Sequence, residues 1–253
     1  MDKIPLLEFD GDRTALIEPS ILKSCNLPEH CIIVFYNSVI QRLKQDQLLE
    51  KIYEIKSVLQ NTQVFKLKQD DRLLSVVCPT GCGAPLAGSL LEILIALGCQ
   101  KFVACGGAGV LKSELNRGAV VVPNAAIRDE GMSYHYLPPS RTVEADSGVV
   151  QKLVQVLQKH GVNYEVGKTW TTDAYYRETK GKIAKRKMDG CLTVEMECSA
   201  LLAIAKFRNV ALGQYLLAGD DCGGTAWDQR LQDDLLSAPL KMFWLSVEAC
   251  LTL

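Results

Sequence analysis

No sign of charge dominates this 253-residue chain: 28 Lys and Arg stand against 29 Asp and Glu, a net charge of −1. That balance argues against the basic footprint of a nucleic-acid-binding or membrane-surface protein. No apolar run approaches the ~20 residues that a membrane span needs. The first residues, Met1-Asp2-Lys3-Ile4-Pro5, carry neither a basic stretch nor a long apolar core. The expectation is therefore no signal peptide and a cytoplasmic location. Ten cysteines are present, at 25, 31, 78, 82, 99, 105, 191, 198, 222 and 250, yet no two form a Cys-x-x-Cys pair. Most sit in apolar segments such as Phe102-Val103-Ala104-Cys105, where a reduced thiol behaves as a small hydrophobe. The three histidines, His30, His135 and His160, are too dispersed for a metal cluster. Linkers rich in Pro, Gly or Ser, internal repeats and low-complexity blocks are also lacking. A single domain over 1–253 is expected, with no metal and no cofactor.

What is present is an alternation of strands and helices. Cys31–Tyr36 reads as a buried strand and Ser38–Ile55 as helical. Gln63–Leu67 and Leu73–Cys78, split by Gln69-Asp70-Asp71-Arg72, read as a hairpin. Pro79-Thr80-Gly81-Cys82-Gly83-Ala84-Pro85 is a turn, and Leu86–Leu97 a helix stopped by Gly98. Lys101–Cys105 reads as a strand ending in the turn Gly106-Gly107-Ala108-Gly109. Gly118–Pro123, Tyr164–Thr171 and Val210–Ala218 read as further strands. Val149–His160, 178–188 and Arg230–Leu251 read as helices. The pattern predicts an α/β fold, a mixed central sheet covered by helices.

The most informative stretch is Val194-Glu195-Met196-Glu197-Cys198-Ser199-Ala200. A short strand delivers two carboxylates, one residue apart, to the start of a helix. Acids there suit the helix dipole, which is one reading. The other is a ligand site at a strand end, where Glu197 accepts hydrogen bonds from a vicinal diol such as ribose and Met196 lies on the sugar face. The two glycine-rich segments, Thr80-Gly81-Cys82-Gly83 and Gly106-Gly107-Ala108-Gly109, allow close backbone approach and offer amide donors. Neither is a Walker or dinucleotide-binding motif.

In order, these pieces resemble the nucleoside phosphorylase and nucleosidase superfamily, which includes uridine phosphorylase, hexameric purine nucleoside phosphorylase and methylthioadenosine nucleosidase. The likeness runs from about Val76 to Asp221. It rests on Leu74 to Pro85 as the strand and Ser-Thr-Gly-Ile-Gly-Gly-Pro turn, Leu91–Gly98 as the following helix, and Phe102–Gly109 as the strand and glycine turn beside phosphate. Gly118-Ala119-Val120-Val121-Val122-Pro123 and Val194-Glu195-Met196-Glu197 complete it. The resemblance implies a three-layer α/β sandwich around a distorted-barrel sheet and a homo-oligomer, a dimer or hexamer, taking a nucleoside. It assigns Glu197 to the ribose hydroxyls, with Glu195 beside it, and Met196 to the ribose face. Tyr175 in Thr172-Asp173-Ala174-Tyr175-Tyr176 falls at the base. Thr80, Gly81, Gly106 and Gly107 border phosphate, the implied co-substrate. The pair Asp220-Asp221 takes the place of the aspartate that protonates a purine, alignment favouring Asp221 and a one-residue shift Asp220.

The likeness has gaps. Ala15-Leu16-Ile17-Glu18-Pro19-Ser20 is the segment compared with Gly-Asp-Pro-x-Arg, and it lacks the arginine. The second phosphate arginine is replaced by Ala104 and a threonine by Gly107. Arg13, Arg117 and Arg128 are candidate substitutes. The Gln-x-Arg that reads uracil is missing after Tyr175, which favours purines. The expected activity is thus phosphorolysis of a purine nucleoside to base and ribose-1-phosphate. The alternatives are hydrolysis, with Glu18 activating water, and nucleoside binding without catalysis.

Overall fold

The computed structural model describes residues 4–22, 25–58, 60–231 and 236–253. The start of the expected C-terminal helix, at 232–235, and the extreme N-terminus, 1–3, lie outside the described residues. The described strands all belong to one sheet of ten.

Five of them close on themselves: β5 (Lys101–Val110), β10 (Ala211–Asp221), β6 (Val120–Asp129), β8 (Tyr164–Thr172) and β9 (Cys191–Glu195). Around this ring β5–β10, β6–β8 and β8–β9 are parallel, while β10–β6 and β9–β5 are antiparallel. The result is a mixed, distorted barrel. From β5 the sheet continues outward through β1 (His30–Val34), β4 (Arg72–Val77), β3 (Thr62–Gln69) and β2 (Glu50–Ile55). A short β7 (Thr142–Glu144) pairs with β6.

The apolar runs of β1 and β5 sort by parity, as strands buried on both faces must. Ile32, Val34, Val103 and Cys105 face one core, packed with α1 (Asn37–Gln45), α3 (Ser147–Lys159) and α6 (Ser237–Thr252). Cys31, Ile33, Phe102 and Ala104 face the other, packed with α2 (Ala84–Ala96) and α5 (Cys198–Arg208). A charged helix, α4 (Lys180–Met188), lies before β9. The three-layer arrangement anticipated from the sequence is therefore present.

Two segments differ from expectation, and a third agrees. The stretch read as helical over Ser38–Ile55 is helix only to Gln45; Gln47 takes a positive φ of 57°, and Glu50–Ile55 then pairs with β3 as the outermost strand. The β3–β4 hairpin does form, its tight turn made by Asp70 and Asp71, both at positive φ. The supposed turn at Gly106–Gly109 is extended, because these glycines stay in register with β10 and β9. Among the described residues no helix is long and apolar enough to cross a membrane.

Candidate active site

β9 pairs with β5 through Gly109↔Val194, so its chain leaves toward Gly107 as it passes into the bend of Met196 and Glu197. The two carboxyls of that segment have different surroundings. Glu195 folds back over the start of α5: its Oε2 accepts the amides of Glu197 at 2.8 Å and Cys198 at 2.7 Å, and its Oε1 accepts the Thr171 hydroxyl at 2.6 Å. These contacts satisfy helix N-terminal donors that burial hides from water. Glu195 was expected among the substrate-binding residues; both its oxygens are engaged within the protein, and its role here is to cap α5. Thr171 in turn accepts the Ser199 amide, and the Ser199 hydroxyl donates to Glu130, which ties β8, α5 and the end of β6 together.

Glu197 is equally buried, but its Oε1 accepts a donor from across the molecule, the Gly83 amide at 2.6 Å. Gly83 sits at φ 110°, ψ 149°, a conformation open to glycine, and it opens α2 directly after the exposed Thr80 and Gly81. One hydrogen bond therefore fixes the β4–α2 loop against the β9–α5 bend. Half-buried Met196 lies between the two glutamates. Burial pushes the pKa of both carboxyls up. For Glu195 the Glu197 charge adds to this, bringing it to about 8, whereas for Glu197 the Gly83 and Met196 amides pull in the opposite direction.

Gly106 and Gly107 border this region from β5, and each allows an aromatic side chain from the exit of β1 to approach. A Cβ on Gly106 would meet Phe35 at 3.1 Å, and one on Gly107 would meet the Tyr36 hydroxyl at 3.0 Å. Burial raises the Tyr36 phenol pKa above its usual value, while Arg117 acts in the opposite direction. Ala104 is wholly buried, so the place of the missing second arginine lies inside the apolar layer. Of the three candidate substitutes, Arg128 is fixed to Ser133, Ser140 and the carbonyls of Leu137 and Pro138, and Arg13 bonds the Phe207 carbonyl. Arg117 bonds the Gln229 carbonyl at 2.8 Å and stays close to Tyr36.

Glu18, expected as the activator of water, is not at this centre. Its Oε1 accepts the Ala15 amide, and its Oε2 lies 4.0 Å from Arg208 at the last turn of α5. Glu197 precedes the first turn of the same 11-residue helix, so the two carboxyls are separated by about 16 Å of helix rise.

Tyr175 lies in a turn after β8, 50% exposed, its ring 4.2 Å from that of Tyr176, and close enough to Cys82 to interact with it. The acidic pair at the end of β10 is split as sharply as the glutamates. Asp221 accepts the Ser113 hydroxyl, the Gly223 amide and Arg230 at 2.7 Å. Those three groups hold its pKa below the usual carboxylate range despite partial burial. This corrects the assignment of Asp221 as the acid, because a carboxylate so held has no proton to give near neutral pH. Asp220 accepts the Trp227 indole N–H at 2.6 Å and the Cys222 thiol at 3.3 Å, and its Oδ1 lies over Gly109. It faces a half-buried carboxyl that the motif reading missed, Glu178, whose pKa burial and then the Asp220 charge raise to about 7. Nothing local in the sequence marks Glu178. Tyr36 could have been suspected, since it ends the apolar run of β1. Among the described residues no group of three or more His, Cys, Asp or Glu is placed to share a metal ion.

Comparison with known proteins places the chain by family and fold. Guanosine phosphorylase of Halorubrum lacusprofundi is 27% identical over 159 residues, 60% of this chain and 66% of that protein. Uridine phosphorylase of Salmonella typhimurium is 28% identical over 152 residues, 54% of this chain and 60% of that protein. The matches thus span less than two thirds of these relatives' lengths. The crystal structure of uridine phosphorylase from Vibrio fischeri superposes with a TM-score of 0.74 at 18% identity, covering 90% of this chain and 93% of that one. The model of the phosphorylase superfamily matches residues 29–238, from the start of β1 to the beginning of α6 and so across every strand of the barrel, and the chain belongs to that superfamily.

Proposed function

We propose that the protein cleaves the N-glycosidic bond of a purine nucleoside with inorganic phosphate, releasing the base and ribose-1-phosphate. The observation that carries this reading is Glu197, a buried carboxylate fixed by the Gly83 amide at the junction of two strand exits. Vicinal ribose hydroxyls donate to it, and the bond strengthens as positive charge develops on the sugar. Met196 covers the ribose face, and the exposed ring of Tyr175 receives the base. Phosphate lies against Thr80 and Gly81, with Arg117, whose charge acts on Tyr36 after the exit of β1, as its cation. The purine preference rests on carboxyls, Asp220 and Glu178, standing near the base in place of an amide and a guanidinium. Relatives named as guanosine and uridine phosphorylases support the reaction class. A homo-oligomer, dimer or hexamer, belongs to the same proposal; sedimentation as a monomer at micromolar concentration counts against it.

The test is product identity. Ribose-1-phosphate formed only in phosphate buffer, faster with inosine or guanosine than with uridine, is the expected result. A second reading, hydrolysis, is favoured by one feature: Phe35 and Tyr36 fill the space over Gly106 and Gly107. Free ribose formed at a rate indifferent to phosphate supports it and ends the first reading. The water-activating group is then not Glu18, which is engaged at the far end of α5.

A further inference from the structure

We infer that Glu178 is the group that donates a proton to the leaving base, with Asp220 as its positioning residue. The inference rests on the proposed nucleoside site and names an acid that neither the motif nor the glycine loops indicate. Three observations carry it. First, the Glu178 amide closes onto the Tyr175 carbonyl at 3.1 Å, so its half-buried carboxyl stands one short turn from the ring that receives the base. Second, the other carboxyls nearby are committed: Asp221 is paired with Arg230, Ser113 and the Gly223 amide, and Asp220 accepts both the Trp227 indole and the Cys222 thiol on one oxygen. Third, no hydrogen bond from the described residues reaches the Glu178 carboxyl, leaving it open to a ligand.

The charged and titratable groups around Glu178 come from three directions. Asp220 at the end of β10 favours its protonated form. Lys182 on α4 opposes this, although its ammonium is directed to Asp129 at 3.2 Å. Cys222 is held as a neutral thiol by burial and by Asp220. With desolvation the largest influence, the carboxyl reaches a pKa of about 7, suited to giving up a proton near neutral pH. In the step, the bond between the sugar's anomeric carbon and the base nitrogen breaks and its electron pair passes to the base. The Glu178 O–H delivers its proton to a ring nitrogen of that base, while an oxygen of the nucleophile bonds to the anomeric carbon. Glu178 is left as a carboxylate and is reprotonated from solvent.

Binding of the free bases adenine and hypoxanthine, measured by calorimetry from pH 6 to 8, tests this without requiring turnover. A protonated Glu178 donating to the base makes wild-type affinity fall about tenfold over that range, as the carboxyl ionises. Glu178→Gln, still a donor, is expected to bind with no pH dependence, and Asp220→Asn to shift the transition to lower pH. The same transition is expected in the alkaline limb of kcat/KM where nucleoside is cleaved. Affinity of wild type that does not change with pH, a transition that survives Glu178→Gln, or no binding of either base overturns the inference. If the transition is present and depends on Glu178 but no nucleoside is cleaved, the proposed reaction falls and the assignment of Glu178 stands. Circular dichroism of each variant confirms that it is folded.

Discussion

Glu195 and Glu197 form one acidic pair, Asp220 and Asp221 another, and the two pairs invite the same reading from sequence: two carboxylates at a strand end, both at the ligand. In the structure each pair divides. Glu195 is engaged by two helix amides and a threonine hydroxyl, and Asp221 by an arginine, a serine and a loop amide. Of their neighbours, Glu197 accepts the Gly83 amide of the glycine loop, and Asp220 lies over Gly109 of β5. The inner carboxylates differ as well. Among the described residues no cation acts on Glu195, and burial with the Glu197 charge favours its protonated form; Asp221 has Arg230 and stays ionised. A carboxylate's task follows from its donors, and those come from residues distant in sequence.

The largest expected effect separates Glu197 from Glu195. Glu197→Gln is predicted to lower kcat with any active nucleoside by about 10²–10³-fold, the scale for losing an interaction made in the transition state, with little change in the urea midpoint. An unchanged rate in the folded variant removes Glu197 from the site. The next concerns the second pair. Asp221→Asn leaves Arg230 without its carboxylate and is expected to cost about 1.5–3 kcal/mol of stability, read from denaturant unfolding. Base release per folded molecule should stay within a few-fold, and a loss as large as that of Glu197→Gln would return Asp221 to the chemistry.

The smallest effect is a slope. The Glu195 carboxyl keeps its proton up to about pH 8 in the folded protein, against 4.5 for the unperturbed group. Folding therefore takes up a proton between these values, and the Glu195 contribution to stability falls as pH rises through that window. Glu195→Gln is expected to flatten the change in Tm from pH 5 to 8, whatever its absolute stability. A slope equal to wild type means that the carboxyl titrates normally.

Much of this protein was legible along the chain. The strands read over Cys31–Tyr36 and Lys101–Cys105, the hairpin turn at Asp70-Asp71 and the helix read over Leu86–Leu97 are local matters, fixed by apolar runs and by residues that tolerate unusual backbone angles. Glu-Met-Glu at a strand end before a helix is likewise a local pattern. β2 falls inside the stretch read as helical because its charged spacing continues that of α1, and only pairing with β3 selects a strand. The glycines of β5 were read as a turn because glycine in sequence does not tell a bend from a close approach; Phe35 and Tyr36, some 70 residues earlier, decide it. Glu18 fell at the wrong end of α5, since motif spacing carries no information about which end of a helix a distant loop meets. By itself the sequence determined the layers, the strand exits and the residue types gathered there. Only the tertiary structure decided which donors each carboxyl receives, two helix amides and a threonine for Glu195, a distant glycine amide for Glu197, an arginine for Asp221, because hydrogen bonding and desolvation depend on what surrounds a group in space.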